Sequence, residues 1–388
     1  MAHALQLSPV TISRAERRVK GGARETPLFL TLDGMRGIGA ILVVYGHTMV
    51  FWGGPAVSFP PIPFCVDLFF ILSGYVIAFA YEPRLRAGMT AATFLRQRLV
   101  RLYPLYFLGL MMGLCAFLIA AIGDPAKLGA AGLSLVPQLF MLPSPDLNHS
   151  GDLYPLNMPG WTLLFELAVN VVFVLIHRWL STRNLAVLVA LSAAVLAVSA
   201  ISYGTIDQGP SWWNFWGGFA RAMFGFFAGV LVFRLAGSPK APPAKRSLWA
   251  IPATLVVIGL CLIPQTDETR PFVQLFIVVV LGLVLVWWGQ SMQPPKWVAG
   301  AFAKLGAISY AVYMLHYPLY EVMKRANWKF PALSHEWAPW TGLALMIATL
   351  ALGWIAERHY DRPARRALNA WLKSLGQKAP KPAMVPAE

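Results

Sequence analysis

Apolar residues gather in ten runs, at roughly 35–52, 64–81, 102–122, 159–177, 185–203, 213–233, 248–264, 271–289, 303–321 and 339–357, with most charges between them. Each run is close to the about 20 residues that a helix needs to cross a bilayer. The pattern predicts an all-α polytopic membrane protein with about ten transmembrane helices. The first 26 residues are polar and basic, so no secretory signal peptide is expected and the first run should stay as an anchor. Three parts follow: a basic N-terminal segment (1–29), a transmembrane domain (30–360) and a basic tail (361–388). In the tail Ala364, Leu368, Trp371, Leu372 and Leu375 share one helical face opposite basic residues, the pattern of a helix lying on an anionic leaflet.

Composition agrees: 57% of residues are hydrophobic, 13% are charged and the mean hydropathy is +0.58. An ordinary soluble domain has about a quarter charged residues. The net charge of +15 does not imply nucleic acid, because the charges lie between apolar runs rather than along one face. Lysines and arginines concentrate on one set of connections, from Arg14–Arg24 through Arg84–Arg101 to the tail, which puts both termini in the cytoplasm. Cys65, Cys115 and Cys261 show no close pairing, so neither a disulfide framework nor a zinc site is indicated. The Gly225/Gly229 spacing is too common to suggest a dimer. The segment 123–159 should lie outside; it is long and rich in Pro, Asp and Asn, and long ordered loops tend to be functional.

Ionisable residues inside the runs carry the chemistry. Arg36 and His47 are eleven residues apart, three helical turns, so both project from one face about 16 Å apart along the axis. Counting inward from the outer ends, His47, Asp67, Glu166, Arg221 and His316 fall in the outer half of the bilayer, while Arg36 sits near the inner face. Buried ionisable groups in a membrane are expensive and so suggest a working site. Blander roles remain open: Arg36 snorkelling beside Asp33, a histidine that only bonds between helices, Asp67 or Glu166 paired with an arginine such as Arg221. A transporter would use similar groups, but there is no sign of inverted repeats or matching broken helices.

Five segments in order resemble the acyltransferase 3 family of integral membrane acyltransferases: LDGMRGIGAILVVYGH, CVDLFFILSGYVI, FLRQRLVRLYPLY, WTLLFELAVNVVF and SYAVYMLHYPLY. Cys65 replaces the usual Gly of the second motif and Thr162 the usual Ser of the fourth. The resemblance implies a bacterial inner-membrane O-acyltransferase of the stand-alone form, without an esterase-like domain. It would move an acyl group, commonly acetyl, from cytoplasmic acyl-CoA to a hydroxyl of an envelope polysaccharide, or alternatively of a small metabolite or lipid-linked sugar. Acyl-CoA would be a substrate, with no permanently bound cofactor or metal; the partners expected are lipid, acyl-CoA and a carbohydrate acceptor. His47 is then the expected base, assisted by Glu166 and Asp67. Arg36, Arg96, Arg98 and Arg101 would hold the donor, and Trp161, Arg221 and His316 would serve the acceptor or the oxyanion.

Overall fold

The computed structural model describes residues 29–53, 62–122, 124–146 and 151–377. The basic residues of the N-terminal segment, and Lys378 and Lys381 of the tail, lie outside them. Among the described residues the fold is helical, with two isolated bridges and no strand. The helices are α1 (Leu30–His47), α2 (Ile62–Arg86), α3 (Ala91–Ala120), α4 (Pro125–Leu139), α5 (Gly160–Ile176) and α6 (Thr182–Tyr203). Then come α7 (Phe215–Leu235), α8 (Ala250–Cys261), α9 (Arg270–Gln290, with a π-turn at Ile277–Leu281), α10 (Lys296–Lys329), α11 (Trp340–Ala356) and α12 (Arg362–Gln377).

Each of the ten apolar runs lies on a helix, and the chain is an all-α polytopic membrane protein. By length and composition alone, seven of the described helices can cross a bilayer, counting Trp340–Ser374, α11 with most of α12, as one; α5 and α8 are apolar but shorter, and α1 has 18 residues. The 30 residues of α3 and 34 of α10 exceed a bilayer crossing. One consequence corrects the sequence reading. Arg96, Arg98 and Arg101 are not in a connecting loop but on the first turns of α3, whose N-terminus is capped by the Thr90 hydroxyl accepting from the Thr93 N–H at 3.2 Å. An apolar window finds only the lipid-facing part of a helix that continues into polar surroundings.

Packing centres on α1, which lies against α2, α8 and, most extensively, α10. The next closest pair is α2 with α7. There a Cβ on Gly74 would stand 1.9 Å from the Phe226 carbonyl oxygen, and one on Gly229 2.0 Å from that of Ile71. Only glycine permits this backbone approach, so the Gly225/Gly229 pair serves packing within the chain.

Segment 123–159 contains α4, with Asp124 as its N-cap, and Tyr103 and Tyr106 of α3 donate to the Leu139 and Gln138 carbonyls at 3.0 and 2.6 Å. Its later part is held to α10 by a specific device. Pro318 lacks the N–H that would bond the Met314 carbonyl four residues back. The buried Asn157 amide takes that carbonyl instead, at 3.2 Å.

After α11 a π-turn, Glu357–Asp361, leads on into α12. Ala364, Leu368 and Trp371 of α12 border an apolar groove against Tyr103, Pro104 and Phe107 of α3. Leu372 is half-buried, and the Leu375 side chain lies outside the described part.

Candidate active site

The ionisable residues picked out by the sequence occupy two cavities and a buried pair, not one layer. The first cavity, about 190 Å³, is lined by Arg36, Arg98, Arg101 and Glu166, with Ser73, Ser309, Tyr310 and apolar side chains of α2. Arg98 and Arg101 are three residues apart and share a face of α3. Arg96, two residues before Arg98, points another way and is exposed, outside the cavity wall.

Every arginine of this cavity meets an acid, though Arg101 shares Asp361 with Arg365, which lies closer at 2.8 Å. Arg36 Nη2 donates to Asp33 Oδ1 at 2.6 Å and to the Gly306 carbonyl at 3.0 Å, while its Nε donates to Ser309 Oγ at 3.0 Å. Arg98 Nη2 meets Glu166 Oε1 at 2.5 Å, and the Ser73 hydroxyl donates to the same oxygen at 3.0 Å. Arg101 lies 3.5 Å from the buried Asp361 and over the Tyr310 ring, 5.4 Å from its centroid. Buried guanidinium groups need such partners. One donor is left over: Arg98 Nε is buried and bonds no described group.

The second cavity, about 690 Å³, is lined by His47 at the end of α1, Trp161, His316, Asp207, Gln265 and Arg270. The His47 and His316 rings have centroids 5.1 Å apart, and Tyr317 stands edge-on to His47 at 5.7 Å. His316 Nδ1 lies 2.7 Å from the Tyr313 carbonyl oxygen, so it carries the proton and donates. That tautomer leaves Nε2 with a lone pair, and Nε2 is buried with no partner among the described residues. The Gln265 amide nitrogen and oxygen are likewise buried without protein partners. Polar groups left open around a cavity suit a hydroxyl-rich guest.

Val66 and Tyr313 line both cavities and stand between them. Arg36 and His47 thus do share one face of α1, with each facing a different cavity.

Asp67 and Arg221 line neither cavity. Arg221 Nε and Nη2 donate to the two Asp67 carboxylate oxygens at 3.0 Å each, with both side chains at most 1% exposed. Arg221 also donates to the Gln208 and Pro63 carbonyls, and its guanidinium lies 5.5 Å from the Trp161 ring centroid. The pair therefore backs the wall of the second cavity. Glu166, expected near His47, lies in the other cavity with Arg98.

Sequence reasoning missed Ser73, Ser309, Tyr313 and Gln265. Three of these were in view, since Ser73 belongs to the second quoted motif and Ser309, Tyr313 and His316 stand at i, i+4 and i+7 of the last, one helical face. Gln265 and Asp207 sit in connections without pattern. The Cys65 and Cys261 thiols, 196 residues apart in sequence, are buried with their sulfurs 3.7 Å apart, within hydrogen-bonding reach of each other.

A family model for an acyltransferase domain, Acyl_transf_3, matches residues 29–358. "Protein 2 in picA locus" of Rhizobium radiobacter is 37% identical over 191 residues, 45% of this chain and 96% of that protein. No solved structure matches. With its motifs in order on helices that meet around two adjoining cavities, the chain belongs to the acyltransferase 3 family of integral membrane acyltransferases.

Proposed function

We propose that the protein takes an acyl group, acetyl in the simplest case, from acyl-CoA in the arginine cavity to a hydroxyl of an envelope glycan seated in the histidine cavity. The observation that carries this reading is the pair of cavities with unlike linings, arginine-rich on one side and His/Trp/Gln on the other, sharing the wall of Val66 and Tyr313. The arginine cavity faces the cytoplasm of a bacterial inner membrane on this reading, in keeping with the basic residues of α3.

Arg98, through its open Nε and by exchanging Glu166 for phosphate, and Arg101 hold the CoA. Arg36 orients the thioester. His47 takes the acceptor's proton as the oxygen attacks the acyl carbonyl, and returns it to the departing thiolate. Asp67 and Arg221 act as a structural fastening behind Trp161 rather than as reacting groups.

The test is NMR of cell-surface polysaccharide from a deletion strain complemented with nothing, with the wild type or with His47→Ala. O-acyl ester signals should be present only with the wild type, while the variant protein remains in membranes. Esters retained in the His47→Ala strain would remove the base assignment. Unchanged polysaccharide in all three would move the acceptor to small molecules or lipid-linked sugars.

A further inference from the structure

A catalytic imidazole usually has a carboxylate on its second nitrogen, which fixes its tautomer and supports its charge. The two acids the sequence offered for this are engaged elsewhere: Asp67 is held by Arg221, and Glu166 by Arg98; Asp207, which lines the His47 cavity, is exposed and lies 3.8 Å from Arg221 Nη1. Among the described residues, the rings near His47 come from α10: His316, Tyr317 and Tyr320. Of these, His316 already has its tautomer set by the Tyr313 carbonyl, and its Nε2 lone pair is buried without a partner. A buried acceptor left open in this way is costly unless something fills it during the working cycle.

We infer that His316 is the positioning residue of His47: a turn of the His47 ring, whose centroid lies 5.1 Å away, lets His316 Nε2 accept its second ring N–H with or without an acceptor present, completing a chain from the Tyr313 carbonyl through His316 to His47. The inference rests on His47 being the base. The acceptor hydroxyl gives its proton to the free nitrogen of His47 as its oxygen bonds the acyl carbon. The C–S bond breaks, and the CoA thiolate takes that proton back. His316 receives a hydrogen bond throughout and no proton. A histidine in this place gives His47 direction without adding a negative charge to an apolar setting, where a lone carboxylate would be costly.

The test reads His47 directly, without an acceptor. Purified protein in nanodiscs is treated with diethyl pyrocarbonate, and carbethoxylation of His47 is timed by peptide mass spectrometry in wild type, His316→Leu and His316→Gln. A hydrogen bond to one ring nitrogen raises the nucleophilicity of the other, so His47 should react about fivefold more slowly in the leucine variant, the worth of one hydrogen bond. Glutamine places an acceptor oxygen near the reach of Nε2 and should restore most of the rate, along with O-acyl ester content in complemented cells. Unchanged His47 reactivity in His316→Leu, a wild-type His47 that does not react, or glutamine no better than leucine would each overturn the inference. Full ester content in a His47→Ala strain would instead overturn the base assignment beneath it, so the two failures are separate.

Discussion

Replacing Asp67 by alanine should strip the buried Arg221 guanidinium of two of its four hydrogen bonds and leave it with the Gln208 and Pro63 carbonyls and the exposed Asp207 carboxylate 3.8 Å from Nη1. Both side chains are at most 1% exposed, so the pair is shielded from bulk solvent. Breaking a buried ion pair on one side costs about 3–5 kcal/mol, which is roughly two to three and a half powers of ten in the unfolding equilibrium. Arg221→Met should cost a similar amount by stranding the carboxylate. The double variant Asp67→Leu with Arg221→Met removes both charges at similar volume and should return close to wild-type stability, so the two penalties will not add. Unfolding followed by tryptophan fluorescence in detergent, against increasing SDS, measures all four proteins. Single variants within about 1 kcal/mol of wild type would refute the argument, because that is the scale of exposed pairs. The same double variant separates structure from chemistry: stable protein with normal transfer makes the pair a fastening, and stable but inactive protein makes it part of the reaction.

Arg98→Ala should weaken acetyl-CoA binding about 10- to 100-fold, the worth of one or two charge-assisted hydrogen bonds. Arg96→Ala, on an exposed face outside the cavity, should leave binding unchanged by calorimetry in nanodiscs. Equal effects would remove the cavity's part in donor binding. Gly74→Ala forces a Cβ to within 1.9 Å of the Phe226 carbonyl oxygen and should destabilise by at least the about 1–3 kcal/mol of an overpacked core. Gly300→Ala, in α10 with nothing within 4 Å of the new Cβ, should be neutral or stabilising in the same SDS unfolding assay. A peptide of residues 362–377, with Arg362, Arg365, Arg366 and Lys373, should become helical by circular dichroism on anionic vesicles and far less on neutral ones, at about 1 kcal/mol per base. Equal helicity on both would contradict a tail that reads surface charge.

The helices were legible because an apolar run of membrane length has few other ways to satisfy its backbone. The motif residues His47, Arg98, Glu166 and His316 do line cavities, but their grouping was not legible. Depth along a helix axis says nothing about the direction a side chain takes around it. So five residues placed at one level divide three ways: His47 beside His316, Asp67 with Arg221, and Glu166 with Arg98. The partners that decide this lie 68, 154 and 260 residues apart for Arg98–Glu166, Arg221–Asp67 and Arg101–Asp361. No local periodicity encodes such pairings. Charged turns likewise hid the start of α3, whereas the carbonyl freed by Pro318 for Asn157 followed a chemical rule that a sequence can state but not place.

Val66 and Tyr313 have a further consequence beyond separating two binding sites. On the proposed function the two cavities serve opposite sides of the membrane, and a passage joining them would be a leak. An ion crossing it would dissipate about 2.3 kcal/mol per charge for every 100 mV of membrane potential. On the proposed function, the partition of Val66 and Tyr313 keeps the two sides electrically insulated while a small group is handed across. It also makes the tightest point, rather than either chamber, the gauge of what can pass. Enlarging the chambers would change what binds, and trimming Tyr313 would change what crosses.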